Sequence, residues 1–181
     1  RTELEEKKGA QVPDEPAPLL IAGLRPPGGG TTLACLIDSA SPVTSVRSDY
    51  FEKGLSEDRV ALELDPGVPL KDQRVTRANH LNRENRSFGG VLGVPFFRTS
   101  IVSIDYDRGR IYLADPKAFE YRGSGQSLPL EKQYWNPVVR VSMTVKGDPI
   151  EARLAVDTGS RHTIALNRRF VDDAGLSDLP D

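Results

Sequence analysis

Two short stretches of this chain each carry a carboxylate from an apolar run into a turn of small, hydroxyl-bearing residues. The first is Leu33-Ala34-Cys35-Leu36-Ile37 followed by Asp38-Ser39-Ala40-Ser41; the second is Leu154-Ala155-Val156 followed by Asp157-Thr158-Gly159-Ser160. Short apolar runs bounded by turn residues read as buried strands, so each aspartate stands where a strand leaves a core. A carboxylate there needs hydrogen-bond donors, because an unpaired buried charge is costly. The hydroxyls and turn amides beside it can supply them. Two such carboxylates held together cannot both ionise easily and share a proton. The ionised one can act as general base on a water while the protonated one polarises a carbonyl. Taken singly, either stretch is equally a structural turn, since Asp, Ser, Thr and Gly are ordinary turn residues.

The spacing joins the two. Asp38 and Asp157 are 119 positions apart, and the same offset relates Pro18 to Pro137, Thr44 to Thr163 and Phe51 to Phe170. A Gly-Leu follows each copy, Gly54-Leu55 and Gly175-Leu176, slipped by one residue. An offset that holds without gaps across two strands and a turn marks an internal repeat. The expectation is two related lobes, each contributing one aspartate.

On these residues the sequence resembles the aspartic proteases, closest to the retropepsin-like family, whose motif is Asp-Thr/Ser-Gly followed by Ser, Ala or Thr. Asp157-Thr158-Gly159-Ser160 matches in full, and Asp38-Ser39-Ala40-Ser41 departs at Ala40. The apolar, glycine-containing Gly90–Phe97 segment, followed by a closing strand within Ile101–Leu113, matches a further family element. The resemblance implies an all-β fold: a closed acid-protease barrel lobe with short helices over residues 18–115, then the first half of a similar lobe over 134–181. It implies an aspartic endopeptidase in which Asp38 and Asp157 activate water without a covalent intermediate, cofactor or metal. Ser41 and Ser160 would orient the carboxylates, Ser39 and Thr158 would brace the two turns, and Gly159 would allow close approach. The substrate would be a peptide or protein, and the resemblance leans to a secreted or periplasmic setting. The other reading, motivated by Ala40, is a retropepsin-like module kept for binding or assembly.

The remaining elements follow from local chemistry. Residues 1–17 are rich in Glu, Lys and Pro and read as a solvated arm. Leu19–Leu24 and Thr31–Asp38 read as strands joined across Arg25–Gly30. That glycine run is a turn rather than a phosphate loop, because no Gly-Lys-Ser/Thr follows it. Val43–Val46 reads as a strand, and Asp49–Lys53 as a short helix capped by Ser48 and stopped by Gly54. Val60, Leu62 and Leu64 alternate before a turn at Asp65-Pro66-Gly67, the interval where an aspartic protease carries its flap. Phe88–Phe97 reads as one or two helical turns beneath Asp38, and Ile101–Leu113 as a hairpin about Asp107-Arg108-Gly109. Residues 116–133 read as a linker. Val138–Val145, Ile150–Asp157 and Thr163–Leu166 then read as strands, and Arg168–Ala174 as a helix with Asn167 as cap and Gly175 as stop. By the 119 offset the second lobe should run to residue 234, so chain beyond Asp181 or a partner copy is expected to complete it.

Composition narrows the alternatives. A net charge of −2 and a basic stretch at 71–86 without aromatic residues argue against a nucleic-acid site. No apolar run approaches the length needed to span a bilayer. His80, His162 and the lone Cys35 make no zinc set, and Cys35 reads as a buried structural thiol.

Overall fold

The computed structural model describes residues 21–25, 32–48, 59–64, 68–78, 88–145 and 147–177, excepting the side chains of 59–61, 71 and 72. The arm at 1–17, the turn at 26–30, the helix expected at 49–53, the turn at 65–67 and His80 lie outside the described residues. Leu19–Gly159 forms one compact unit, and Ser160 onward belongs to a second. The described chain is mostly strand, with two short helices.

The larger unit begins with six strands: β1 (Ile21–Arg25), β2 (Leu33–Ile37), β3 (Thr44–Arg47), β4 (Arg59–Leu64), β5 (Val68–Ala78) and β6 (Gly90–Leu92). They run in the order β1-β2-β6-β3-β5-β4, and β1 pairs with β4 through Leu24↔Leu64 and Arg25↔Glu63 to close the barrel. Alternation along the strands places Leu24, Cys35, Ile37, Val46, Val75 and Leu92 inside. Burial pushes the Cys35 thiol pKa up to about 12, so it packs as a small apolar group. The β4–β5 hairpin expected as a flap is, over its described residues, barrel wall: Leu64 pairs with both Val68 and Leu24.

Gly90–Leu92, expected as the start of a helix, is instead a strand. It runs parallel to β2 and antiparallel to β3. Space explains why glycine opens it: a Cβ on Gly90 would lie 2.6 Å from the Ser45 carbonyl oxygen and 2.9 Å from the Cys35 sulfur. The helix proper, α1 (Val94–Thr99), starts only after Gly93, with Pro95 in its first turn. Its Phe96 is fully buried, edge-to-face with Phe97 at 5.2 Å. β7 (Ile101–Asp105) and β8 (Arg110–Ala114) then form the expected hairpin, with Gly109 at φ +60° in the turn.

The stretch expected to be a linker ends in a strand, β9 (Glu131–Gln133). It lies beside β10 (Asn136–Val145), which pairs in turn with β11 (Asp148–Ala155). Arg140 and Arg153 sit directly opposite each other on β10 and β11, a repulsive pairing. The Glu131 carboxylate bonds to both, which holds it below the usual carboxylate range, chiefly through the Arg140 hydrogen bond. β9 and β10 are joined by only two residues, Tyr134 and Trp135. Tyr134, at φ 59°, is the sole described non-glycine residue with positive φ. Such a conformation costs a bulky residue on the order of 1–3 kcal/mol.

The two hairpins related by the repeat pair differently. Partners sum to 57 in β1–β2 (Ile21↔Leu36) and to 293 in β10–β11 (Val138↔Ala155), where twice 119 would predict 295. The ladder has slid by two residues, which keeps every side chain on its own face.

In the second unit, Asn167 caps α2 (Arg168–Asp173) by accepting from the Phe170 amide at 2.9 Å. Gly175 ends the segment at φ +64°, and the Leu176 amide donates back to Val171 O at 2.9 Å. Thr163–Leu166, expected as a strand, is irregular. Its counterpart β3 is held between β5 and β6, and no equivalents of those two strands exist among the described residues after Leu166. A strand without a ladder leaves its amides to water.

Candidate active site

Asp38 is the first residue beyond β2, and its backbone is fixed from below: its amide donates to Leu92 O at 3.0 Å. Asp157 leaves β11 two residues after Ala155, just past a Val156 amide that donates to Pro137 O at 2.8 Å. Continuing the β10–β11 ladder puts Asn136 opposite Asp157 (136 + 157 = 293). The Asn136 Oδ1 is buried without a hydrogen-bond partner among the described residues.

The two turns lock together. The Ser39 amide donates to Thr158 Oγ1 at 3.1 Å, and the Thr158 amide donates to Ser39 Oγ at 3.1 Å. The Ser39 hydroxyl donates to Val156 O at 2.6 Å, while the Thr158 hydroxyl donates to Ile37 O at 2.8 Å. Ser39 and Thr158 are repeat equivalents, as are Ile37 and Val156, each pair 119 apart. The set of four is therefore its own image under exchange of the two halves, the local equivalent of a two-fold axis.

This lock sets the carboxylates side by side. Each aspartate accepts an amide from within its own turn: Ala40 N at 2.8 Å and Ser41 N at 3.0 Å for Asp38, Gly159 N at 2.9 Å for Asp157. Burial is the main influence raising the Asp38 pKa above the ordinary range, and the charge and hydrogen bond of Asp157 add to it. The Ala40 and Ser41 amides oppose that rise without overcoming it. A half-buried carboxyl against a second, exposed one is suited to holding a proton between them.

Gly159 and Ala40 stand at equivalent places for different reasons. A Cβ on Gly159 would come within 2.6 Å of Asp38 Cγ, so glycine is required by space. Neither residue has positive φ, so backbone conformation makes no demand for glycine at Ala40. All four turn-to-turn hydrogen bonds form with the Ala40 methyl in place.

The Ser41 hydroxyl donates to Val43 O at 2.9 Å, and it is the Ser41 amide that contacts Asp38. Within the second unit, the Ser160 hydroxyl accepts from the His162 amide at 3.2 Å. Asn136 was not singled out by sequence reasoning; its only signal was adjacency to Pro137, an anchor of the repeat. Among the described residues no cluster of His, Cys, Asp and Glu could hold a metal ion, and no helix is long and apolar enough to cross a membrane. Comparisons of the chain with protein-family models, with curated proteins and with solved structures find no match.

Proposed function

We propose that the chain carries the catalytic pair of a retropepsin-like aspartic endopeptidase, Asp38 from the barrel and Asp157 from the β9–β11 part of the same unit. The observation that carries this reading is the self-reciprocal set of hydrogen bonds between Ser39 and Thr158. It holds two carboxyl-bearing turns together, so that the charge and hydrogen bond of Asp157 add to the rise that burial causes in the Asp38 pKa.

In the mechanism, the pair shares one proton. The ionised carboxylate takes a proton from a water as it attacks the scissile carbonyl, and the protonated carboxyl hydrogen-bonds the carbonyl oxygen and then protonates the leaving nitrogen. The amides of Ala40, Ser41 and Gly159 orient the carboxylates and partly offset the cost of their charge. Proton sharing between adjacent aspartates is the established behaviour of aspartic proteases.

The pH–rate profile on an unfolded protein substrate tests the proposal. Activity requires one carboxyl ionised and one protonated, so it should rise and fall within the acidic range. Because the Asp38 pKa is raised, the proton is kept to higher pH, and the falling limb should lie above the range of an ordinary aspartate. Cleavage that increases steadily from pH 5 to pH 9 would contradict a shared-proton pair.

Ala40 favours a second reading, a binding or assembly module of the same fold without proteolysis. A displacement of about 1 Å at a reacting group can cost on the order of a hundredfold in rate. Ala40→Gly separates the two. For a working peptidase, turnover should change by no more than a few-fold; for a disabled one, it should rise by roughly a hundredfold from near zero.

A further inference from the structure

β9 and β11 are the outer strands of the three-stranded sheet and share no backbone ladder with each other. A side chain joins them across β10. Glu131 stands opposite Val138, and Val138 stands opposite Ala155, so these three form one row across the sheet. The next row on the same face is Arg140 opposite Arg153. From its own row, Glu131 accepts from Arg140 Nε through Oε1 and pairs with Arg153 Nη2 at 3.0 Å through Oε2.

The strand held in this way is the one that delivers Asp157. Ala155, in the row of Glu131, ends β11 two residues before the aspartate. The next amide, Val156 N, donates to Pro137 O at 2.8 Å, and the Val156 carbonyl accepts the Ser39 hydroxyl at 2.6 Å. An isolated exposed ion pair contributes little, but here two like charges face each other directly, which is destabilising. Removing the carboxylate that bonds both leaves them opposed. The other charged groups of the sheet do not take its place. Lys132, opposite Pro137, alternates to the other face; Glu151 lies one row farther from Asp157, opposite Ser142; Asp148 lies at the far end, opposite Val145.

We propose that Glu131 is a positioning residue for Asp157: its ionised carboxylate, set between Arg140 and Arg153, cancels a repulsion that would loosen β11 from β10 just before the aspartate turn. Its effect on rate rests on the reading of Asp38 and Asp157 as a catalytic pair; its effect on the strand does not. The brace persists in acid. Arg140 above all, and Arg153 with it, hold the Glu131 carboxyl below the usual carboxylate range. The contribution is therefore full above about pH 4.3, where an ordinary glutamate titrates, and is lost as pH falls through the lowered value. It thus outlasts much of the acidic range in which the aspartate pair keeps one proton.

The full chain, Glu131→Gln, and Glu131→Gln combined with Arg153→Gln are compared by amide hydrogen exchange at Val156 and by kcat and KM on an unfolded protein substrate. Glutamine keeps the size of the side chain and removes its charge. At pH 5, Glu131→Gln is expected to lower Val156 protection about fivefold and kcat by a similar factor, with KM unchanged. Adding Arg153→Gln removes one of the opposed charges and should restore most of both. As pH falls, the parent should converge on Glu131→Gln along the titration of the Glu131 carboxyl, followed by NMR. A side chain that only packs would give neither the repair nor the convergence. Equal Val156 protection in the parent and Glu131→Gln at pH 5 would overturn the proposal. So would a difference that does not shrink along that titration, or one that Arg153→Gln fails to repair. Protection that behaves as expected in a chain that cleaves nothing would keep the brace and remove the peptidase reading. Cleavage by the parent, with protection and kcat unchanged in Glu131→Gln, would do the reverse.

Discussion

Asp157→Asn is expected to lower peptide-bond cleavage by about a thousandfold or more, in line with the 10²–10⁴-fold supplied by a positioned acid–base group. Asparagine cannot ionise, so the pair loses the ability to pass a proton from water to the leaving nitrogen. Geometry should survive the change. The asparagine carbonyl can still accept the Gly159 amide that now bonds Asp157 Oδ1 at 2.9 Å, and the Ser39–Thr158 lock does not involve the carboxylates. Asp157 is exposed, so no buried group is left unpaired. The melting temperature should therefore stay close to that of the parent while turnover collapses. Retained turnover would mean that the aspartates are neighbours without being catalysts.

Gly159→Ala should damage both activity and stability. The added methyl would stand 2.6 Å from Asp38 Cγ and 2.9 Å from Asp38 Cβ, so one turn must retreat. Retreat strains the hydrogen bonds of the lock, and overpacking of this sort costs typically 1–3 kcal/mol. Displacing one carboxyl from its partner by about 1 Å should cost on the order of a hundredfold in rate. The signature is a fall in kcat with a lowered melting temperature. An unchanged kcat would show that the spacing between the turns is not critical. The contrast with Ala40, whose methyl already coexists with the lock, makes this pair of sites a measure of how asymmetric the two halves are.

Much of this arrangement was legible in the residues. Apolar runs ending in Asp38 and Asp157 locate both turns, and the 119-residue offset alone makes Ser39 and Thr158 equivalents. The turn at Gly109 and the cap at Asn167 followed from local chemistry alone. What escaped depended on partners far away in the chain. Gly90–Leu92 looks helical in the sequence, whereas Gly90 answers to crowding by Ser45 and Cys35, which no local pattern reveals. Thr163–Leu166 is the repeat counterpart of β3 but lacks its neighbours among the described residues, and a strand is made by pairing as much as by propensity. The β9–β10 turn is hidden because Tyr-Trp is not a turn signal.

The lock between Ser39 and Thr158 also bears on the order in which the molecule assembles. It joins residues 119 apart, and closing a loop of that length in an otherwise unformed chain costs roughly 4 kcal/mol of entropy plus a constant. Four hydrogen bonds, each contributing about 1 kcal/mol net, barely offset that. The β9–β11 meander is local by contrast, and non-local pairing is slow. The barrel and the meander should therefore form first and shorten the loop, with the paired aspartates arriving last. The same balance makes this junction the first to open, so catalytic competence should decline under mild denaturant before the amides of the β10–β11 ladder lose their protection against hydrogen exchange.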